Sequence, residues 1–200
     1  MEIVKLILTG VIGYLLGSAN TSLIVGKIYG MDVRKHGSGN AGATNTLRTL
    51  GKTAAALVGI GDVLKGVIAC LIGQLITGDA SGLMLGGVGA IAGHNWPLYF
   101  GFKGGKGIFT SFAVVLMMDW KIGLILLGIF VILVAITRYV SLGSVVGSAL
   151  FPVMGLVFNK GTQFVVFALI LAILAIYRHL GNIERLVKGT ESKLGSKKSD

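Results

Sequence analysis

Residues 54–76 read AAALVGIGDVLKGVIACLIGQLI, and the polar side chains in that run are Asp62, Lys65 and Gln74. As a helix, a run of this length exceeds the roughly 30 Å hydrocarbon core of a bilayer. Six further apolar stretches flank it, at about 3–25, 82–100, 107–118, 122–137, 142–158 and 162–177. The stretch at 107–118 is short, about 18 Å of helix, and suits a tilted helix in a thinned region or a re-entrant segment. Met118-Asp119-Trp120-Lys121 separates it from the next stretch and reads as a tight turn at an interface.

Composition agrees. Of 200 residues, 54% are hydrophobic and 13% charged, against about 25% charged in soluble domains. The mean hydropathy is +0.84. Such a chain cannot cover its apolar surface in water, least of all at this small size. A disordered chain, a coiled coil and a disulfide scaffold are excluded, and the 32 glycines have no collagen period. The reading is an all-α, polytopic integral membrane protein, a compact bundle of seven transmembrane helices. One domain is expected over 1–200, with 188–200 a polar, lysine-rich tail whose end is frayed. The apolar amino terminus lacks a cleavage site and reads as a retained helix.

Lys and Arg number 18 and Asp and Glu 8, a net charge of +10. In a soluble protein that excess would point to nucleic acid. Here the basic residues lie between apolar runs, so membrane orientation explains them first. With seven crossings and the N-terminus outside, the inner segments hold fourteen basic residues and the outer ones three, Lys5, Lys121 and Lys160. The C-terminus is then cytoplasmic. Gly13/Gly17, Gly89/Gly93 and Gly143/Gly147 have the small-xxx-small spacing that lets helix backbones approach closely. The single cysteine, Cys70, excludes an internal disulfide and a cysteine metal cluster.

Three polar clusters interrupt the apolar pattern. The first is His36-Gly-Ser-Gly-Asn-Ala-Gly-Ala-Thr-Asn45, followed by Thr46 and Arg48. It contains GxGxxG at 37–42, but no strand precedes it, so a dinucleotide site is not supported. Gly37, Gly39 and Gly42 let backbone N–H groups converge on an anion. A helix starting near Ala43 or Thr44 would add its positive end, and Arg48 would follow a turn later. The second is Gly93-His94-Asn-Trp-Pro97, then Phe100-Gly-Phe-Lys-Gly-Gly-Lys-Gly107. Lys106 is followed by Gly107 where the nucleotide loop needs Ser or Thr, so a metal–nucleotide site is not supported. Gly104, Gly105 and Gly107 still permit an anion-cradling turn, with Lys103 and Lys106 as point charges. The third is Tyr177-Arg-His179, Asn182, Arg185, Lys188-Gly189 and Glu191. Arg178, His179, Asn182 and Arg185 are expected on part of one helical face. The charge topology puts all three clusters on one side. Asp62 and Lys65, three apart inside a helix, need partners at that depth; each other and the site are both open.

Together the three clusters resemble those of the bacterial membrane glycerol-3-phosphate acyltransferases that take acyl-phosphate as donor, the PlsY family. The similarity runs through Gly37-Ser-Gly-Asn-Ala-Gly-Ala-Thr-Asn45 and Arg48, Gly93-His94, Pro97 and 100–107, then Tyr177-Arg-His179, Asn182-Ile183, Arg185-Leu186, Gly189 and Glu191, with Gly61-Asp-Val-Leu-Lys-Gly66 also familial. The resemblance implies transfer of a fatty acyl group to the 1-hydroxyl of sn-glycerol 3-phosphate, giving lysophosphatidic acid and phosphate. It implies no cofactor, metal or acyl-CoA. It implies a monomer in the bacterial inner membrane, with the active site facing the cytoplasm. Its partners would be acyl-phosphate, sn-glycerol 3-phosphate, the lipid bilayer and the soluble enzyme that makes acyl-phosphate; nucleic acid is not one. Catalytic roles fall by resemblance to Ser38, Arg48, His94, Lys106 and Asn182. Substrate and phosphate binding falls to Gly37, Gly39, Asn40, Gly42, Thr44, Asn45, Lys103, Gly104, Gly105, Gly107, His179 and Arg185. The residues agree on physical grounds: both substrates are phosphorylated, and the clusters are rich in N–H, Arg, Lys and His. The competing readings are a transporter of a phosphorylated metabolite, an assembly subunit, and a transferase using CoA thioesters.

Overall fold

The computed structural model describes residues 1–195. Among these, all regular structure is helical, and the chain divides into two compact units, 1–118 and 119–200. In the first unit α1 (Glu2–Ser18) is followed by α2 (Thr21–Ile28), α3 (Ala43–Leu50), α4 (Lys52–Thr77), α5 (Ala80–Asn95) and α6 (Ile108–Met118). The second holds α7 (Trp120–Thr137), α8 (Val140–Val157), α9 (Thr162–Arg178) and α10 (Leu180–Val187). Single 3-10 turns span Val33–Lys35 and Leu98–Phe100.

The protein is a polytopic membrane bundle, but the count of clear spans differs from the expected seven. Glu2–Ile28, α4, α7 and α8 are long and apolar enough to cross a membrane, and α9 with α10 makes a fifth if that bent pair counts as one span. Helices α5 and α6 fall short in length. Two expected continuous stretches are also interrupted. The first breaks at Ala19–Asn20, where the Asn20 side chain caps α2 by accepting from the Leu23 N–H at 3.1 Å. The third ends as helix at Asn95, because the turn through Pro97 follows.

Glycine explains how α1, α4 and α5 pack. A Cβ on Gly17 would collide with the Ala90 carbonyl, and one on Gly93 with the Tyr14 carbonyl and the Ser18 backbone. A Cβ on Gly13 or Gly89 would likewise meet the facing backbone. Those two small-residue pairs therefore do what their spacing predicts. The third pair does so only in part. Gly143 faces the Phe130 side chain, but Gly147 looks into open space. In the second unit α8 and α9 instead interlock through Phe151, whose ring meets Phe164 and Phe167 edge-to-face at 5.4 and 6.3 Å.

Asp79 and Asp119 cap α5 and α7, each accepting two backbone N–H bonds. Asp119 is also paired with Lys160. Within the described part of the tail, Leu194 is anchored. The Leu194 N–H donates to the Arg138 carbonyl at 2.7 Å, and the Arg138 guanidinium donates back to the Leu194 carbonyl at 2.8 Å. Residues 196–200 of the expected polar tail lie outside the described residues.

Candidate active site

The first cluster is a loop anchored from below. Val33 and Ala41 are fully buried and pack with Leu23, against Leu50 and Phe100. Between them the chain rises to the exposed Ser38. Gly37 and Gly39 have φ of 58° and 73°, the left-handed region that glycine enters without a Cβ penalty. Helix α3 starts at Ala43 with Gly42 as its N-cap, as the sequence predicts.

Asn45, on the first turn of α3, is buried beneath this loop. Its Oδ1 accepts from the Ser38 N–H at 2.8 Å and from the Ser38 hydroxyl at 3.1 Å. Its Nδ2 donates to the Val33 and His36 carbonyls at 2.8 and 3.1 Å. The amide thus uses its hydrogen-bonding capacity on the loop. Asn45 shapes the turn and aims Ser38: the hydroxyl hydrogen is directed at Asn45, which leaves the oxygen lone pairs for another donor. Thr46 is buried as well, bonded to Ser22 on α2 at 2.8 Å and to the Gly42 carbonyl at 3.1 Å. Asn40, Thr44 and Arg48 are half-buried.

The second cluster approaches the first at one point. A Cβ on Gly105 would strike both His94 Nε2 and the Ala41 carbonyl oxygen. Only glycine fits where the imidazole edge, the first loop and the second loop converge. The Gly105 N–H also donates to the His94 carbonyl at 3.1 Å. Gly104 is equally confined by the His94 carbonyl and Pro97, and Gly107 has φ of 74° with Asn95 beside it. Lys106 is half-buried and Lys103 exposed.

His94 is 2% exposed and lies on the last turn of α5. Its Nδ1 is 2.8 Å from Lys65 Nζ and 3.4 Å from Asp62 Oδ1. Asp62 and Lys65 are paired at 2.9 Å. The pair is therefore mutual, and it also touches His94.

The third cluster belongs to the second unit. Helix α9 ends at Arg178, and α10 begins at Leu180 after a bend of 60°. Arg178 therefore does not share a helical face with Asn182 and Arg185, contrary to expectation. His179 sits buried at the bend, its Nδ1 2.7 Å from the Ala175 carbonyl. A carbonyl only accepts, so Nδ1 carries the hydrogen. Asn182 Nδ2 donates to Glu191 Oε1 at 2.6 Å, and the Ser141 hydroxyl donates to the same oxygen at 2.8 Å. Arg185 Nε donates to Oε2 at 2.7 Å. Burial raises the Glu191 pKa, but these three donors outweigh it and hold the carboxyl below its ordinary value.

Comparison with known proteins places this architecture. Residues 7–189 match the family model described as glycerol-3-phosphate acyltransferase. A glycerol-3-phosphate acyltransferase of Thermoanaerobacter sp. (strain X514) is 51% identical, over 96% of each chain. One from Clostridioides difficile (strain 630) is 48% identical, over 99% of this chain and all of that one. A solved PlsY, an integral membrane glycerol 3-phosphate acyltransferase in its glycerol 3-phosphate form, superposes with a TM-score of 0.90. It is 36% identical, covering 95% of this chain and 96% of that one. The chain belongs to the glycerol-3-phosphate acyltransferase family.

Two residues that organise this acyltransferase carry no strong sequence signal. Arg34 sits in the 3-10 turn before the first loop. Its Nη1 donates to the Phe100 and Lys103 carbonyls at 3.0 and 3.3 Å, tying the two loops together. Its other nitrogens clamp Asp32. That hydrogen bonding lowers the Asp32 pKa and raises that of Arg34. Ser141, on α8, is the other; its link to Glu191 spans 50 positions of sequence. Arg34 stands beside a lysine, where orientation by charge explained it sufficiently. An isolated serine in an apolar helix offers no signal at all.

Proposed function

We infer that this acyltransferase moves a fatty acyl group from acyl-phosphate to the 1-hydroxyl of sn-glycerol 3-phosphate, releasing lysophosphatidic acid and inorganic phosphate. The observation that carries the reading is the convergence of two glycine-rich loops at Gly105, beside the buried His94. Glycine-lined backbone and cationic side chains suit phosphate groups. Acyl-phosphate is an activated mixed anhydride. Attack by the hydroxyl oxygen on its carbonyl carbon forms the ester and breaks the bond to the phosphate oxygen. No protein nucleophile is needed; orientation and charge stabilisation supply the acceleration.

Arg48 and Lys106 hold phosphate oxygens, with Lys103 and the backbone of Gly37, Gly39, Gly42, Gly104, Gly105 and Gly107 around them. Ser38 and Asn182 position substrate, supported by Asn40, Thr44, Asn45, His179 and Arg185. Two groups compete for the hydroxyl's proton, a substrate phosphate oxygen and His94. The acyl chain stays among the helices, in contact with the inner leaflet. The protein acts as one domain and as a monomer, and takes its donor from the soluble enzyme that makes acyl-phosphate.

The bias of fourteen basic residues to three supports a cytoplasmic C-terminus, an outside N-terminus and a cytoplasmic active site in the inner membrane. Seven crossings follow if α5 and α6 traverse despite their length, which local thinning permits.

Purified protein is assayed with sn-glycerol 3-phosphate and either palmitoyl-phosphate or palmitoyl-CoA, without added metal. Lysophosphatidate forms from the first donor only. No product from palmitoyl-phosphate would overturn the reading, and equal product from palmitoyl-CoA would reassign the donor. Gly105→Ala, which places a methyl group on His94 and Ala41, abolishes most of the activity.

A further inference from the structure

Lys65 lies on the membrane-spanning α4, yet its ammonium reaches the floor of the site. It is 2.8 Å from His94 Nδ1, 2.9 Å from Asp62 Oδ1 and 3.2 Å from the Gly17 carbonyl. An ammonium has three N–H bonds and no lone pair. The Ala19 carbonyl also lies 3.5 Å away, and against a group that can only donate, His94 Nδ1 is an acceptor. Asp62 is fixed in turn: the Thr21 hydroxyl donates to its Oδ1 at 3.1 Å, and the Thr110 hydroxyl to its backbone carbonyl at 3.1 Å. The contact of Nδ1 with Asp62 is longer, 3.4 Å. An imidazolium would aim an N–H at the ammonium, a clash of donors as well as of charges.

On this basis, and resting on the acyl-transfer reading above, we propose that Asp62 and Lys65 are positioning residues that hold His94 as the neutral tautomer protonated on Nε2. His94 is then a fixed donor and takes no proton from the glycerol hydroxyl. Its Nε2 edge faces the point where Gly105 meets the Ala41 carbonyl, so the N–H supports the junction of the two loops. The membrane-embedded pair thus acts on the reaction through a single imidazole.

Two measurements test this. The first is the ¹⁵N spectrum of histidine-labelled protein, with the His94 ring assigned by its loss in His94→Gln. Nε2 appears protonated and Nδ1 unprotonated in the wild type. In Lys65→Met, where Nδ1 has lost its donor, the ring shifts toward a mixture of states. A wild-type ring protonated on Nδ1 overturns the proposal, and so does a ring unchanged in Lys65→Met. The second is activity of His94→Gln, whose side-chain N–H replaces the Nε2 donor but cannot act as a base. It stays within about tenfold of wild type, the scale of one imperfect hydrogen bond. Loss of a general base costs about 10²–10⁴-fold, and a folded His94→Gln protein in that range overturns the proposal. The spectrum needs no turnover, so failure of the acyl-transfer reading is separable: it shows as an inactive wild type, whatever the tautomer.

Discussion

Each unit buries a carboxylate against a residue of the motif set, and the two do it differently. In the first, Asp62 sits inside a membrane-spanning helix with Lys65 one turn along the same helix, and together they reach His94 on α5. In the second, Glu191 lies beyond the end of α10 and gathers Ser141 from α8 with Asn182 and Arg185 from α10. The first arrangement is shut away from water: Asp62 is 2% and Lys65 7% exposed. The second keeps contact with solvent through Arg185, whose side chain is 45% exposed. Burial in the first makes partner loss costly, whereas solvent can partly replace what the second loses.

The largest effect expected from this contrast is at Asp62. Asp62→Ala leaves the Lys65 charge buried without its carboxylate and costs about 3–5 kcal/mol, read as a lowered Tm in detergent. Replacing both residues with apolar side chains, Asp62→Leu with Lys65→Met, restores most of that stability but not full acyl transfer. If the double variant melts as low as Asp62→Ala, charge burial is not the source of the cost.

Glu191→Gln comes next. It keeps an acceptor for Asn182 or Ser141 but loses the charge facing Arg185, costing about 1.5–3 kcal/mol of local stability. Protease cleavage after Arg185 and Lys188 reports it, and activity falls with the misplacement of Asn182. Wild-type stability intact despite faster cleavage would confirm that the effect is confined to the second unit.

The same carboxylate gives a pH dependence. Its folded pKa is depressed, so the stabilisation is present above the ordinary glutamate value of 4.5 and is lost as pH falls through the folded value. Protection of 180–194 against hydrogen exchange therefore holds near neutrality and declines below about pH 4.5. In Glu191→Gln that decline is absent.

The smallest expected effect is at Arg34. Its pairing with Asp32 is part-exposed and contributes at most about 1 kcal/mol. Arg34→Lys keeps the charge but not the fork that reaches both Asp32 and the Phe100 and Lys103 carbonyls. The expected change is a KM for glycerol 3-phosphate raised a few-fold with Tm nearly unchanged; a fall in Tm without a change in KM would make Arg34 a structural residue only.

The sequence by itself determined the membrane bundle, the apolar stretches, the three motifs and the start of α3. Each rests on local composition, or on a spacing that one helix turn or one glycine turn reads directly. It also marked Asp62 and Lys65, because charge inside an apolar run is conspicuous. Only the tertiary structure decided which partners such groups choose. Asn45 proved to hold the loop that carries Ser38, Arg178 left the face of Asn182 when the helix bent at His179, and Gly147 proved to face open space. The apolar stretch at 82–100 was likewise legible as a stretch but not as a length of helix, since the helix ends at Asn95 before the turn through Pro97, whereas 107–118 matches α6 to within one residue. A hydrogen bond between residues 29 or 50 positions apart depends on how helices cross, and no pattern along one helix encodes that.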